Sequence, residues 1–412
     1  MKKLSKQLFT LGSFLSLVIV LLLAFTTETK AAAYQSSDAD YEYEADGSGV
    51  RIVKYTGVTL QQVPDPVYSV IVPNQIDGRT VKSVASYAFA EQKHISEFVL
   101  PQTVTSIGDH AFYNCHELAK VTLPKSLTKI GSYAYYNTKL STIKIPKKVT
   151  KIGKYAFGCD GTAVTSRFKS ITVNKSNKKF TAINNILYNK AGTQLIYYPG
   201  AKKDSSYTIP AKVKSMSEWA FNDSRKLKSI AMNKSKITAI PKNAFQLSTL
   251  SKIAFPKKLK KIGAHAFEKS GITAVKIPAS VTSLGEAAFN NCGNLKSVTV
   301  ASKQLSSLPA DVFASCRMLT SVKLSESISS IGDGAFSNCI SLRHITLPKN
   351  VSSIGDRAFR LCDELEKVTI KGTVTYIGYT AFDGDPLLTI VAKKGTYPES
   401  FAKQKNIRFA KV

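Results

Sequence analysis

Six cysteines are the residues of this chain best suited to chemistry, and their spacing decides which chemistry is open to them. Cys115, Cys159, Cys292, Cys316, Cys339 and Cys362 nowhere form the C-x-x-C of a metal knuckle or a redox pair. Five of them stand three residues after a phenylalanine, and Cys159 stands two after one. Elsewhere the same offset carries Thr138, Ser224, Ser248 and Ser270. A position that accepts Cys, Ser or Thr asks for a small, weakly polar side chain, so the thiols are expected free and buried by packing. Bridges among Cys292, Cys316, Cys339 and Cys362 are not forbidden, since strands stack at roughly 5 Å. Yet Ser and Thr fill that position without partners, so no disulfide is expected. His94, His110, His116, His265 and His344 are scattered away from the cysteines, and no metal set is expected. There is no H-E-x-x-H, no G-x-S-x-G and no phosphate loop. The expectation is a protein that is not an enzyme and needs no cofactor.

Basic side chains are the second distinctive group. The chain has 57 Lys plus Arg against 28 Asp plus Glu, a formal net charge of +29. From Leu118 to Tyr155 there are nine lysines and no acidic residue, and Lys257, Lys258, Lys260 and Lys261 form a further cluster. Such a field draws polyanions in a salt-dependent way.

What positions these residues is a repeat. "VSSIGDRAFRLC" (Val351–Cys362) is echoed by "ISSIGDGAFSNC" and "VTYIGYTAFDGD". Its Ala-aromatic pair (Val-Phe at Phe313) recurs at Phe89, Phe112, Tyr135, Phe157, Phe221, Phe245, Phe267, Phe289, Phe313, Phe336, Phe359 and Phe382, in steps of 22 to 24 residues. One gap, Phe157 to Phe221, spans 64 residues, close to three units. Each unit also carries L-x-x-[VI]-x-[VIL], as in "LAKVTLP" (Leu118–Pro124), then [VIL]-x-x-[ILV]-[GP], as in "VTSIG" (Val104–Gly108). The alternation predicts a strand, the Pro its end and the Gly a backbone turn. The "AF" segment predicts a short helical or 3-10 turn that drops an aromatic ring into the centre. A unit of this size cannot bury its apolar side alone. Stacked on its neighbours it can, so a repeat solenoid with one continuous core is expected.

The pattern "IG..AF..C..L..[IV].[IL]P" resembles the BspA-like leucine-rich repeat of bacterial secreted and surface proteins, over about Tyr41 to Val412. The resemblance implies a leucine-rich-repeat solenoid with a parallel β-sheet on one face, capped at both ends. "YEYEADGSGVRIVKYTG" (Tyr41–Gly57) resembles the family's opening hairpin, and "KKGTYPESFAKQKNIRF" (Lys393–Phe409) its closing helix and strand. The organisation expected is a leader at 1–33, an N-terminal cap and first strand at 34–80, the solenoid at 81–392 with irregular repeats at about 158–212, and a C-terminal cap at 393–412. The leader rests on Lys2, Lys3 and Lys6, the apolar stretch Leu8–Phe25 and the small residues Ala31–Ala33. Cleavage near Ala33–Tyr34 leaves no second apolar run; an uncleaved anchor is the alternative. A secreted or surface-held bacterial protein, monomeric, is expected.

The outward strand positions would then form the binding face. They carry Lys120, Lys144, Lys169, Lys228, Lys252, Lys276, Lys296, Lys323, Arg343 and Lys367, with Ser and Thr and almost no aromatic residue. Protein hot spots favour Trp, Tyr and Arg, so this face suits a repeating anion. The partners expected are an extracellular anionic polymer, a glycan, or a host or matrix protein. No specific nucleic acid is expected, since neither a nucleic-acid motif nor a base-stacking set is present. The family resemblance implies binding or adhesion; a cell-envelope component held by charge on anionic wall polymer is the alternative, and an enzyme with an unrecognised site is a third reading. The lysines also have a plain use, in keeping an exposed sheet soluble and unpaired. His110 and His116 are expected to decorate a loop, and Trp219 in "EWAF" to pack in a loop or on the convex surface.

Overall fold

Alternating apolar side chains turn each L-x-x-[VI]-x-[VIL] into a strand with one face inward. In Thr142–Ile145 the isoleucines are buried while Thr142 and Lys144 are exposed. A computed structural model describes residues 32–35, 37–57, 67–161 and 167–412, the first four by their backbone alone. The expected leader lies outside the described residues except for Ala32 and Ala33, which open the strand Ala32–Gln35.

Successive strands stack in parallel and in register. Ala274–Ile277 pairs with Ser297–Val300, which pairs with Ser321–Lys323. The result is the parallel solenoid that the repeat predicts, with very little helix. A second parallel ladder joins the first, built from the dipeptide before each glycine: Ser106–Ile107, Lys129–Ile130 and Lys151–Ile152 pair in order. The Ala-aromatic segments, expected as short helical turns, are hydrogen-bonded turns stitched to the next rung. The Phe89 amide donates to the Ala111 carbonyl and the Phe112 amide to the Ala134 carbonyl, both at 2.8 Å. Two residues in the left-handed region flank the ring in most rungs, for instance His110 and Asn114 around Phe112.

The glycines of the phrase do a different job from the turn expected of them. Gly332 has no positive φ, and a Cβ there would lie 2.6 Å from the Leu308 carbonyl oxygen of the preceding rung. The glycine before each turn is needed for close approach between rungs, while mostly non-glycine residues take the left-handed positions.

Rings fill the centre. From Phe221 to Phe382 the phenylalanines stack face to face at 4.9 to 5.6 Å between centroids. Beside them the thiols of Cys292, Cys316, Cys339 and Cys362 each donate to a phenylalanine carbonyl of the preceding rung, at 3.0 to 3.3 Å. All six cysteines are free and buried. Burial pushes the thiols up, to about 12 for Cys115 and Cys339 and about 11 for Cys292, so they stay protonated.

The long gap corrects the expectation of one continuous core. Phe180–Ile183, Ile186–Asn189 and Gln194–Tyr197 form an antiparallel meander whose last strand resumes the parallel ladder against Ser215–Met216. Ile186 and Tyr188 join the core that runs to Ala402, while Leu187 joins the core that begins at Tyr41. A strand between two apolar bodies buries both of its faces, so the core divides there. Tyr198 replaces the missing phenylalanine, its ring 5.1 Å from Phe221.

Both ends are closed. Tyr41–Asp46 and Gly49–Tyr55 form an antiparallel hairpin that feeds the second ladder. At the other end a helix, Tyr397–Gln404, sets Phe401 against Phe382, and Arg408–Lys411 adds a last strand to Thr389–Ala392.

Candidate functional site

The outward positions of the strand ladder carry the ten basic residues singled out from the sequence, and all ten are exposed. They do not form one row. Strand register places Lys144 beside Thr172, and Lys276 and Lys323 two rungs apart with Thr299 between them. Lys120, Lys252 and Lys367 stand two residues earlier, in a second column, as their partners Glu97, Ser229 and His344 show. Lys169, Lys228, Lys296 and Arg343 immediately precede their strands and make a third. Lys120 is held by Glu97 at 2.7 Å and Arg343 by Glu364 at 3.1 Å. The other eight make no ion pair among the described residues.

One point on this face is a cavity, of about 540 Å³. It opens where the strand ladder parts: Lys120–Thr122 ends one sheet and Thr142–Ile145 begins the next. The parted strands uncover Val121, Leu123 and Pro146 as an apolar floor, rimmed by Lys125, Lys144, Lys147 and Lys148. Among the described residues no carboxylate lines it. Of these lysines only Lys144 belongs to the set read from the strand pattern. The other three follow the strand-ending prolines, in "LPK" and "IPKK", and the acid-free run from Leu118 to Tyr155 is the signal that marks them.

A feature missed in the sequence lies along the turns. Tyr87, His110 and Tyr133 stack in parallel at 4.5 and 4.8 Å, and Tyr155 lies 4.1 Å from Trp219. His110 is part of this stack rather than a loop decoration, and burial between the rings lowers its affinity for a proton. All five members stand two residues before the central ring of their rung, which is the sequence signal that marks them, with Trp219 lying beyond the long gap. The Tyr155 hydroxyl donates to the Asn222 Oδ1 at 2.6 Å and the Cys159 thiol to Asp223 Oδ2 at 2.9 Å, joining the two halves. This explains why Cys159 breaks the three-residue offset: its thiol serves the junction. Among the described residues no cluster of His, Cys, Asp and Glu suits a metal ion.

Two packed ladders, rungs stacked in parallel and side chains that vary on a fixed frame define a leucine-rich-repeat solenoid of the kind that works as a binding scaffold. The family is shown by the match of residues 82–199, 198–296 and 282–408 to the BspA type leucine-rich repeat region. The chain belongs to that family. Among solved structures it is similar to a leucine-rich repeat protein from Eubacterium ventriosum, with 26% identity over 83% of this chain and 91% of that one, at a TM-score of 0.59. It also shares its fold with a leucine-rich repeat protein from Bacteroides ovatus, at 24% identity, 90% and 97% coverage and a TM-score of 0.50. The pneumococcal vaccine antigen PcpA is a third, at 18% identity, 92% and 98% coverage and a TM-score of 0.56. No curated protein matches the chain.

Proposed function

We propose that this protein is an exported surface-binding protein that takes an anionic polymer through the lysine-rimmed cavity of its strand face. The observation that carries the reading is that cavity: four lysines around an apolar floor, with no carboxylate among its lining residues. Elsewhere on the face a carboxylate answers Lys120 and Arg343. Unanswered charge over exposed apolar surface fits an anion with some apolar backbone, such as a wall polyphosphate or a sulfated glycan. The remaining exposed lysines of the strand columns extend the contact along the polymer, each adding little by itself. Bacterial surface localisation and the absence of catalysis are parts of the same reading, supported by the leader-like N-terminus and by the family's scaffold architecture.

The test compares two triple variants of equal net charge. K144E/K147E/K148E changes the cavity rim, while K212E/K234E/K269E changes exposed lysines away from it. Binding to heparin and to polyglycerol phosphate is measured by calorimetry at 0.15 M salt. The rim variant is expected to bind at least ten-fold more weakly, and the control within about three-fold of wild type. Equal losses would leave net charge as the whole explanation. No loss in either would reduce the lysines to a solubility feature.

A further inference from the structure

The second ladder breaks once in the first half of the molecule, and a cavity sits at the break. Lys151–Ile152 is the last strand of its sheet, and the next strand on that side, Gln194–Tyr197, pairs only with the meander and with Ser215–Met216. The cause is a wedge. The meander inserts extra strands on the inner side, while on the turn edge Tyr155 stacks directly on Trp219, 64 positions away but only 4.1 Å distant. Rungs that touch at one edge and are spread elsewhere leave a space between them, here of about 340 Å³. That lies at the lower end of the ~300–1,000 Å³ of small-molecule sites.

The lining has a character opposite to that of the lysine cavity. Tyr155, Trp219, Phe157 and Tyr197 contribute aromatic surface. Its charges cancel, because Lys154 and Glu218 pair with each other at 3.0 Å. Gln194 and Ser217 add an amide and a hydroxyl, 3.3 Å apart. Trp219 and Tyr155 also hold φ of +63° and +56°, a conformation that bulky side chains rarely adopt. Other rungs fill the same left-handed position with rings or long side chains, such as Tyr87, His110, Tyr133, His265 and Arg357, and with smaller residues, such as Asn243 and Asp311, so the position itself tolerates the two rings that line the cavity.

We propose that this cavity is a second binding site, for an uncharged carbohydrate. A sugar ring has an apolar C–H face for an indole or phenol ring, and a hydroxyl edge for an amide, a hydroxyl and a paired carboxylate. It carries no charge to be met, and none is offered. The Tyr87–His110–Tyr133 stack continues the same edge, and Tyr87, 56% exposed, ends it with an accessible ring. The longer chain of a glycan would run along that edge. The site shares no residue with the lysine cavity, so either can stand without the other.

Trp219 is the only tryptophan of the chain, so its fluorescence reports on the cavity directly. The full chain is titrated with neutral tetrasaccharides of glucose, galactose, mannose and N-acetylglucosamine. At least one is expected to shift the emission saturably, and K144E/K147E/K148E is expected to leave that isotherm unchanged. Trp219→Asn keeps a residue suited to the left-handed backbone, and Gln194→Ala removes one polar contact without touching a core ring. Calorimetry should show each variant binding the same sugar at least ten-fold more weakly, with unchanged heparin binding and, for Gln194→Ala, an unchanged melting temperature. If none of the four sugars perturbs the emission, or if both variants bind as wild type does, the proposal fails. It fails equally if an extended peptide, presented as a random decamer mixture, shifts the emission while the sugars do not.

Discussion

At the scale of single residues, each rung reuses three positions: a ring, a small polar group beneath it, and a glycine where rungs touch. Replacing Phe336, which is fully buried between Phe313 and Phe359, by Ala should cost about 3–5 kcal/mol in denaturant unfolding, because the space cannot close. Cys339→Ser should cost less than about 1.5 kcal/mol. The Ser224 hydroxyl at the same offset already finds the Phe221 carbonyl at 2.9 Å, so a serine has a partner waiting. Tyr135 occupies a phenylalanine position with its hydroxyl buried and unpartnered, so Tyr135→Phe should gain about 1 kcal/mol. Asp385 is the residue that breaks the rule of the small group. One carboxyl oxygen accepts the Cys362 amide at 2.8 Å and the other is buried without a partner. Burial pushes its pKa up to about 8. The folded state therefore holds a proton that the unfolded chain loses near pH 4, so this residue's contribution is intact below about pH 4 and is lost as pH rises toward 8. The melting temperature of Asp385→Asn should exceed that of wild type at pH 8.5, and the difference should shrink as pH falls to 4. A constant difference across that range would refute the assignment.

At the scale of elements, the strands, their outward positions and the buried ring column were legible, because each follows from a local period of apolar residues. The second ladder was not, since a two-residue strand such as Lys129–Ile130 carries no alternation. Nor was the role of glycine: the close approach at Gly332 depends on a neighbour 24 positions away, Leu308. The segment was expected as irregular repeats of the same solenoid and not as an antiparallel meander, because Asn184 and Asn185 in left-handed conformations make its turn without a glycine. Of the candidate site, Lys144 was legible. The cavity around it was not, because the parting of two strands is a property of their packing. The divided core has a consequence for unfolding. Repeats couple to their nearest neighbours, so cooperativity weakens where one interface is poor. Between Lys151–Ile152 and Gln194–Tyr197 the strand ladder is interrupted, although the Tyr155–Trp219 stack and the Tyr197 hydroxyl on the Phe157 carbonyl at 2.9 Å still cross the junction. Hydrogen exchange in rising urea should release the strands from Ile95 to Ile152 and those from Ser229 to Ile377 at distinct midpoints. One shared midpoint would show that the junction couples as strongly as an ordinary rung.

At the scale of the molecule, both candidate sites lie at interruptions of a ladder. The strand ladder also parts between Lys252–Ala254 and Ala274–Ile277 and between Ser321–Lys323 and His344–Leu347, so the interruption near Val121 is one of several, whereas the wedge near Trp219 coincides with the long gap in the repeat. The two differ in charge, and that difference gives a measurement on the whole protein. A formal charge of +29 creates a field that attracts any polyanion, and salt weakens it as the screening length falls from about 8 Å at 0.15 M to about 3 Å at 1 M. Heparin binding by wild type should therefore fall steeply between 0.05 and 0.5 M salt, mainly through a slower association rate. In K144E/K147E/K148E the dependence should be shallower, because the lysines that touch the polymer are gone and only the diffuse field remains. Binding of a neutral sugar at Trp219 should barely respond to salt, since no net charge is brought together there. Surface plasmon resonance on the same preparation gives both curves. A rim variant that keeps the full wild-type salt slope would mean that the polymer is held by charge spread over the whole solenoid rather than at the cavity. A sugar isotherm as salt-sensitive as the heparin one would place both ligands on the same basic face.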